Sequence, residues 1–525
     1  MIFHATLGSA LDLMMFASLC LLILTGLPVV FILTGCAVIF GALGIWLGVF
    51  DLFLLGALAQ RIFGTMTSEV LIAIPLFVFM GIMLERSKIA EELLEAMGRL
   101  FGSVRGGLAI SVSLVGALLA ASTGIVGATV VTMGLMALPA MLRRGYDKAF
   151  ACGTICAAGT LGQIIPPSTV MVILGEVLSS AYQQAQLAQG KFSIETVSVG
   201  QLFAGSMIPG LMLVGLYISY QLFICWLKPA YGPPIPQHEV GTVTGREIAR
   251  ALMPPIVLIV SVLGSILGGI ATPTEAAAVG AVGATLLAGL RLDETRPWPI
   301  YIAGLCTVAM VILGSSFDMR IGRQNPPFND VVATWAATVA AAGMAYGIGV
   351  ALWRCFVRGV LGSVSHTTMT ITAMIFATLI GATLFALVFR GLGGEELIKD
   401  FLSGIPGGRY GAIAVVMLVI FIMGFFLDFV EITIIVIPIV GPILLGMGID
   451  PIWLGVLIAV NLQTSFLTPP FGFALFYLGG VAPKTISTLD IYKGIIPFVI
   501  LQLVGLSLVV MFPALATWLP SILFK

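Results

Sequence analysis

The chain has 525 residues with 24 Lys plus Arg against 24 Asp plus Glu, so its formal net charge is zero and only 9% of it is charged, against about 25% for soluble globular proteins. Hydrophobic residues make up 59% and mean hydropathy is +1.14, more apolar side chain than a water-soluble surface can cover, which excludes a soluble enzyme. Without a basic excess, nucleic acid is not an expected partner. The seven cysteines lie mostly in apolar stretches and read as small buried hydrophobes, Cys152 and Cys156 included, rather than as a disulfide framework. The N-terminus shows neither a basic region nor a small-residue cleavage site before its apolar run, so the first span is expected to be retained.

A membrane span needs about 20 apolar residues. Candidates fall in order at 10–27, 28–50, 66–85, 149–180, 199–227, 251–270, 274–291, 298–317, 331–353, 368–390, 452–482 and 489–519. Two further apolar stretches, 106–142 and 410–448, are too long for one span and are broken by Gly, Ser, Thr or Pro, the pattern of helical hairpins. Polar linkers are expected at 180–198, 228–249 and 318–330. The units are N-terminal helices (1–65), a first repeat (66–180), helices and linkers (181–291), an inserted helix pair (292–365), a second repeat (366–482) and a C-terminal helix (483–525).

The repeat shows when the chain is slid against itself by about 303 residues: Gly145-Tyr146-Asp147 meets Gly448-Ile449-Asp450, and Ile165-Pro166-Pro167 meets Thr468-Pro469-Pro470. Each copy runs from a span through a charged amphipathic stretch, a broken hairpin and a Gly-x-Asp turn to a span interrupted by Pro-Pro. Seven crossings separate the span at 66 from the one at 368, an odd number, so the second copy is expected to be inverted. Arg86, Lys88, Arg99, Arg105, Arg143, Arg144 and Lys148 gather at the mouth of the first hairpin, which is expected to face the cytoplasm. The fold class is therefore an all-α polytopic membrane protein with inverted repeats, two re-entrant helical hairpins and discontinuous transmembrane helices.

Two prolines in succession remove backbone donors and free carbonyls at membrane depth, where carbonyls bind cations; a kink repaired by a neighbouring helix is the alternative. The hairpin tip Ala121-Ser122-Thr123-Gly124 adds two hydroxyls beside the carbonyls around Ile165, although small residues also serve close helix packing. The second tip carries Asp428 and, one turn on, Glu431, as ion ligand, proton carrier or tip anchor, unless the tip reaches the water boundary. Gln463, Thr464, Ser465 and Thr468 offer further oxygens, and Glu275 reads as a helix-capping acid. There is no phosphate-binding G-x-x-x-x-G-K-[ST] loop and no H-E-x-x-H, so any pumping runs on an ion gradient and an intramembrane metalloprotease lacks its ligands.

Leu161-Gly162-Gln163-Ile164-Ile165-Pro166-Pro167-Ser168, the Ser122–Thr129 tip region, Thr272-Pro273-Thr274-Glu275-Ala276-Ala277-Ala278 and Asn461 to Gly472 together resemble one family. It is the DctM-like large membrane subunit of tripartite ATP-independent periplasmic (TRAP) transporters, and the likeness covers nearly the whole chain outside about 292–365. The resemblance implies an elevator-type importer of the ion-transporter superfamily in the bacterial inner membrane, surrounded by lipid. It also implies Na+ as coupling ion, a small DctQ-like membrane subunit, a periplasmic substrate-binding protein and an organic acid as cargo. Carried over by motif, one sodium site would use Ser122, Thr123, Gly162, Ile165 and Pro167, and a second Ser465, Thr468 and Pro470. Substrate or coupling roles would fall to Gly124, Ser168, Asp428, Glu431, Thr464 and Phe471. The family pattern Ser-Gly-Ser at the first tip is replaced here by Thr123-Gly124-Ile125. The competing class is an ion channel or passive pore, which also uses re-entrant segments but needs no coupling; a membrane enzyme would need a convergent nucleophile, base or metal set that the chain does not assemble.

Overall fold

Caps and turn glycines set the helix boundaries. The computed structural model describes residues 2–87, 89–124, 126–235, 245–320, 327–469 and 472–524. Its α-helices in chain order are α1 (Ile2–Ile23), α2 (Val29–Trp46), α3 (Gly56–Met66), α4 (Ala73–Arg86), α5 (Ile89–Phe101), α6 (Gly107–Thr123), α7 (Val126–Arg143), α8 (Lys148–Thr160), α9 (Thr169–Ala188), α10 (Val199–Leu227) and α11 (Gly245–Leu267). They continue as α12 (Pro273–Leu292), α13 (Trp298–Ser316), α14 (Phe328–Val357), α15 (Val360–Leu392), α16 (Gly394–Ser403), α17 (Gly408–Met423), α18 (Phe429–Gly446), α19 (Pro451–Leu467), α20 (Phe473–Val481), α21 (Thr488–Met511) and α22 (Ala514–Leu523). Among the described residues ten helices are long and apolar enough to cross a membrane, and none forms a strand. An all-helical polytopic membrane protein is what the composition demanded.

Several boundaries differ from the sequence expectation for local reasons. The span expected at 66–85 starts later: α3 ends at Met66, the chain turns through 67–72, and the helix α4 begins only at Ala73. The linker expected from 180 starts later: the Gln- and Ala-rich stretch carries α9 on to Ala188, and Gly190 at φ +71° stops it. Gln186 then closes the loop, its Nε2 donating to Glu195 O at 2.8 Å and its Oε1 accepting from Glu195 N at 2.9 Å. The C-terminal stretch divides into α21 and α22 at Pro513. Both Pro-Pro spans are interrupted, α8 from α9 and α19 from α20.

Burial separates centre from perimeter. Every residue of α8 from Phe150 to Thr160 and of α19 from Trp453 to Leu467 is buried, and a helix apolar all round belongs inside a bundle. The pair α13 and α14 pack on each other, and α14 on α12. Only 11% and 17% of their most apolar windows are buried, so this pair lies at the edge, with Trp298, Trp335 and Trp353 facing outward. Arg354 staples it to the bundle, donating to Gly289 O at 3.0 Å and Asp293 O at 3.2 Å, carbonyls that the end of α12 leaves without helical donors. In the adjoining linker the Thr295 hydroxyl, with Arg354 and Arg296 close by, holds the Asp293 carboxyl below the usual carboxylate range.

Candidate functional site

The centre of the bundle is built twice. Gly145 and Gly448 turn the chain at φ +77° and +82°. The aspartate two residues later caps the next helix each time, Asp147 accepting from Phe150 N at 2.9 Å and Asp450 from Trp453 N at 2.8 Å. Between the first glycine and its aspartate, burial pushes the Tyr146 phenol up to about 12 while its oxygen accepts the Leu108 amide at 3.2 Å. Helices α7 and α18 both run 18 residues. Their first residues, Val126 and Phe429, stand 429 − 126 = 303 apart, as do Lys148 and Pro451 at the starts of α8 and α19. Thr160 and Gln463 share that spacing and touch, Gln463 Nε2 donating to Thr160 Oγ1 at 3.4 Å.

The tips of the two helix pairs differ. Helices α6 and α7 meet across Gly124 and Ile125, whereas α17 and α18 are separated by Gly424 to Asp428. Ser122 and Thr123, expected to interrupt the first pair, are instead the last residues of α6, since the small-residue run Ala120–Thr123 keeps helical geometry until Gly124. Their side chains lie outside the described residues, as do Pro470 and Phe471. Gly124 adopts φ +59°, its carbonyl accepts from Thr169 Oγ1 at 3.0 Å, and a Cβ there would stand 2.9 Å from Thr169 N. The first tip is thus tied to the start of α9.

At the first break, Gly162 and Gln163 belong to a short 3-10 turn, Leu161–Gln163. Pro166 stands four residues after Gly162 and Pro167 four after Gln163, so neither carbonyl has a helical donor. Ser168, fully buried, donates from Oγ to Gln163 O at 2.8 Å, and Ile165 N turns back to Leu161 O at 3.0 Å. The Gln163 amide is buried with neither end paired among the described residues, a cost that a bound polar partner offsets. Gly162, Ile165, Pro167 and Ser168 are therefore brought together with the Gly124 tip.

At the second break the hydroxyls donate backward along α19: Thr464 Oγ1 to Val460 O at 2.9 Å, Ser465 Oγ to Leu462 O at 2.9 Å and Thr468 Oγ1 to Thr464 O at 2.8 Å. A hydroxyl whose proton is so committed turns its lone pairs outward, the state a cation ligand needs. Gly424 presses on Ser465 so closely that a Cβ would collide with its Oγ, and Asn461 Nδ2 donates to Met417 O at 2.7 Å, clamping α17 to α19. Asp428 and Glu431 form a capping box on α18: Asp428 Oδ1 accepts from Phe429 N at 2.7 Å and Glu431 Oε2 from Asp428 N at 3.0 Å. Of the roles open to these acids, tip anchor is the one the hydrogen bonds express.

Sequence reasoning missed Tyr477. Its ring atoms lie 2.8–3.1 Å from where a Cβ on Gly127 would stand, so the phenol packs beside the first tip, within the electrostatic reach of Asp428 at the second. Nothing local marks it; only the fold brings α20 to both. Among the described residues no group of three or more His, Cys, Asp or Glu gathers as a metal site; the oxygen donors at the two breaks are hydroxyls, amides and carbonyls together with the Asp428 and Glu431 carboxylates.

The family model of the tripartite ATP-independent periplasmic transporter DctM component matches residues 16–300 and 302–515, a match that runs through α14. The C4-dicarboxylate TRAP transporter large permease protein DctM of Vibrio cholerae is 30% identical over 471 residues, covering 89% of this chain and 90% of its own. The isethionate TRAP transporter permease protein DctMQ of Oleidesulfovibrio alaskensis is 28% identical over 87% of this chain and 59% of its own greater length. Among solved structures, the Alcanivorax borkumensis YdaH transporter superimposes with a TM-score of 0.52 at 15% identity, over 89% of this chain and 88% of its own, a likeness of fold alone. With the family model matching almost from end to end, the chain belongs to the DctM component family of tripartite ATP-independent periplasmic transporters and is a transporter subunit.

Proposed function

We propose that the chain is the large permease subunit of a sodium-driven importer of a small organic acid, working as an elevator in the bacterial inner membrane. Cargo arrives from a periplasmic binding protein, and a small DctQ-like membrane subunit completes the complex; the relative named DctMQ supports that second partner, and the relative named for C4-dicarboxylates supports the cargo class. The observation that carries this proposal is the duplicated arrangement in which each helix-pair tip docks on a Pro-interrupted helix, Gly124 on Thr169 and Gly424 on Ser465. In this reading the two helix pairs are re-entrant hairpins of opposite topology, whose tips supply half-helix ends at the midplane, where substrate and coupling ions bind in inverted-repeat transporters. The contact between Thr160 and Gln463 supports a two-fold relation between the copies, because equivalent residues meet beside the axis that relates them. Sodium, as co-transported cargo, is assigned to Ser122, Thr123 and the backbone of Gly162, Ile165 and Pro167 at the first tip. Ser465, Thr468 and Pro470 take the second ion, and the acid lies between Gly124, Ser168, Asp428, Glu431, Thr464 and Phe471.

The test is uptake of succinate, delivered by the binding protein, into vesicles holding the complex, with and without an inward sodium gradient. Ser465→Ala with Thr468→Val is expected to raise the half-saturating sodium concentration about tenfold, the effect of about 1.4 kcal/mol in ligand binding. Uptake indifferent to the gradient would sink sodium coupling, and conductance far above transporter turnover would favour a channel.

A further inference from the structure

Between α9 and α18 on one side and α3 and α15 on the other lies a cavity of about 520 Å³ whose polar lining includes Arg61, Glu176, Ser180, Gln184, Thr383 and Arg390. Its volume falls in the ~300–1,000 Å³ range of small-molecule sites. Arg390 is held in place rather than solvated. Its Nη2 donates to Gln184 Oε1 at 2.7 Å and to Pro438 O at 2.9 Å, and its Nε lies 3.3 Å from Glu395 Oε2 with the side chain 20% exposed. The Pro438 carbonyl is open to it because Pro442, four residues on, has no N–H to give. The Arg61 guanidinium makes no hydrogen bond or ion pair among the described residues, and its charged neighbour is Arg390. Two guanidinium groups thus share one concavity; Glu395 pairs with Arg390 and Glu176 is held by Ser68, so the Arg61 guanidinium is the one left for an entering anion to meet.

We infer that this cavity is a docking site for the carboxylate of the transported acid, with Arg61 and Arg390 as its clamp. The identity of the cargo rests on the function proposed above; the anion selectivity rests on the cavity. Glu176, held by the Ser68 hydroxyl at 3.2 Å, serves as acceptor for a hydroxyl or ammonium group on the same molecule. The site is distinct from the hairpin tips, since none of the tip residues lines it. It also lies away from the basic mouth: α8 starts beside Arg143 and Arg144, and α9 carries the chain onward from the Pro-Pro break to the cavity. With the basic mouth cytoplasmic, the cavity stands on the side where a binding protein releases its load. A carboxylate entering there meets the positive clamp before it reaches the tips, which steers entry in the way charged clefts do.

The experiment uses the full chain in its complex, with Cys20→Ala removing the exposed native thiol and Ser180→Cys placing one on the cavity wall. Rates of modification by sulfonatoethyl and trimethylammonioethyl methanethiosulfonate are compared. The anionic reagent is expected to react faster, and Arg61→Gln, at an exposed position, is expected to lower that preference about fivefold at low salt, the Coulomb effect of one nearby charge in water. The preference is expected to fade at molar salt, and succinate is expected to slow the anionic reagent in the parent but not in Arg61→Gln. A preference indifferent to Arg61, or no protection by succinate, would overturn the inference while leaving sodium-driven uptake untouched. Protection with uptake indifferent to sodium would uphold the cavity and overturn the proposed coupling instead.

Discussion

Gly124 and Asp428 sit at corresponding tips yet depend on opposite properties of a residue. Gly124 is needed for what it lacks: at φ +59°, with Thr169 N 2.9 Å from where a Cβ would stand, Gly124→Ala is expected to cost about 1–2 kcal/mol, seen as a lower unfolding midpoint. Gly446→Ala, with open space around it, is the neutral comparison. Asp428 is needed for an acceptor oxygen at the start of α18. Asp428→Asn is expected to keep stability within a few tenths of a kcal/mol, and Asp428→Ala to lose about 1 kcal/mol. If the asparagine variant also keeps the parent's sodium dependence of uptake, the carboxylate acts as a cap and not as an ion ligand. A role of this kind was legible at Glu275 because its partner is local, its carboxylate accepting from Thr272 N; Asp147 and Asp450, read only as turn residues, cap at the same short range. Arg390 was not legible, since its partner Gln184 is 206 positions away, and no sequence pattern links an arginine on one helix to a glutamine on another.

Among elements, sequence pattern located the breaks better than the ends. Pro-Pro pairs interrupt a helix through covalent structure alone, so α8–α9 and α19–α20 divide where the prolines stand. The end of α9 depends instead on whether a polar, Gln-rich turn stays helical, and the Gln186–Glu195 pairing decides that after folding. The peripheral pair α13–α14 buries little of itself, so its attachment rests heavily on Arg354. Arg354→Ala leaves the C-terminal carbonyls of α12 unpaired and is expected to cost about 1–3 kcal/mol, with faster amide exchange across the linker at 293–297. Uptake by the folded fraction is expected to persist, because the pair touches neither tip.

At the scale of the whole molecule, composition dictated a polytopic helical bundle and the 303-residue offset dictated a duplicated core. The way the copies meet, through Thr160 and Gln463, required coordinates, because the offset says which residues are equivalent but not which lie on the axis. If the core moves as a body against α15, the contact of Gln184 with Arg390 must break in each cycle. Gln184→Cys paired with Arg390→Cys, bridged by a bifunctional methanethiosulfonate because the contact is made by the ends of two long side chains, is therefore expected to stop whatever uptake the doubly substituted chain retains and to release it on reduction; uptake that survives complete cross-linking would sink the elevator. The Pro438 carbonyl carries a related consequence. Its helix cannot serve it, because Pro442 lacks the proton, and its donor comes from Arg390 on a different element. An isotope label at that carbonyl would give an infrared band set by charge-assisted bonding in the arrangement seen here and shifted when the guanidinium departs, a vibrational clock for the cycle that needs no dye, no engineered thiol and no perturbation of the moving parts.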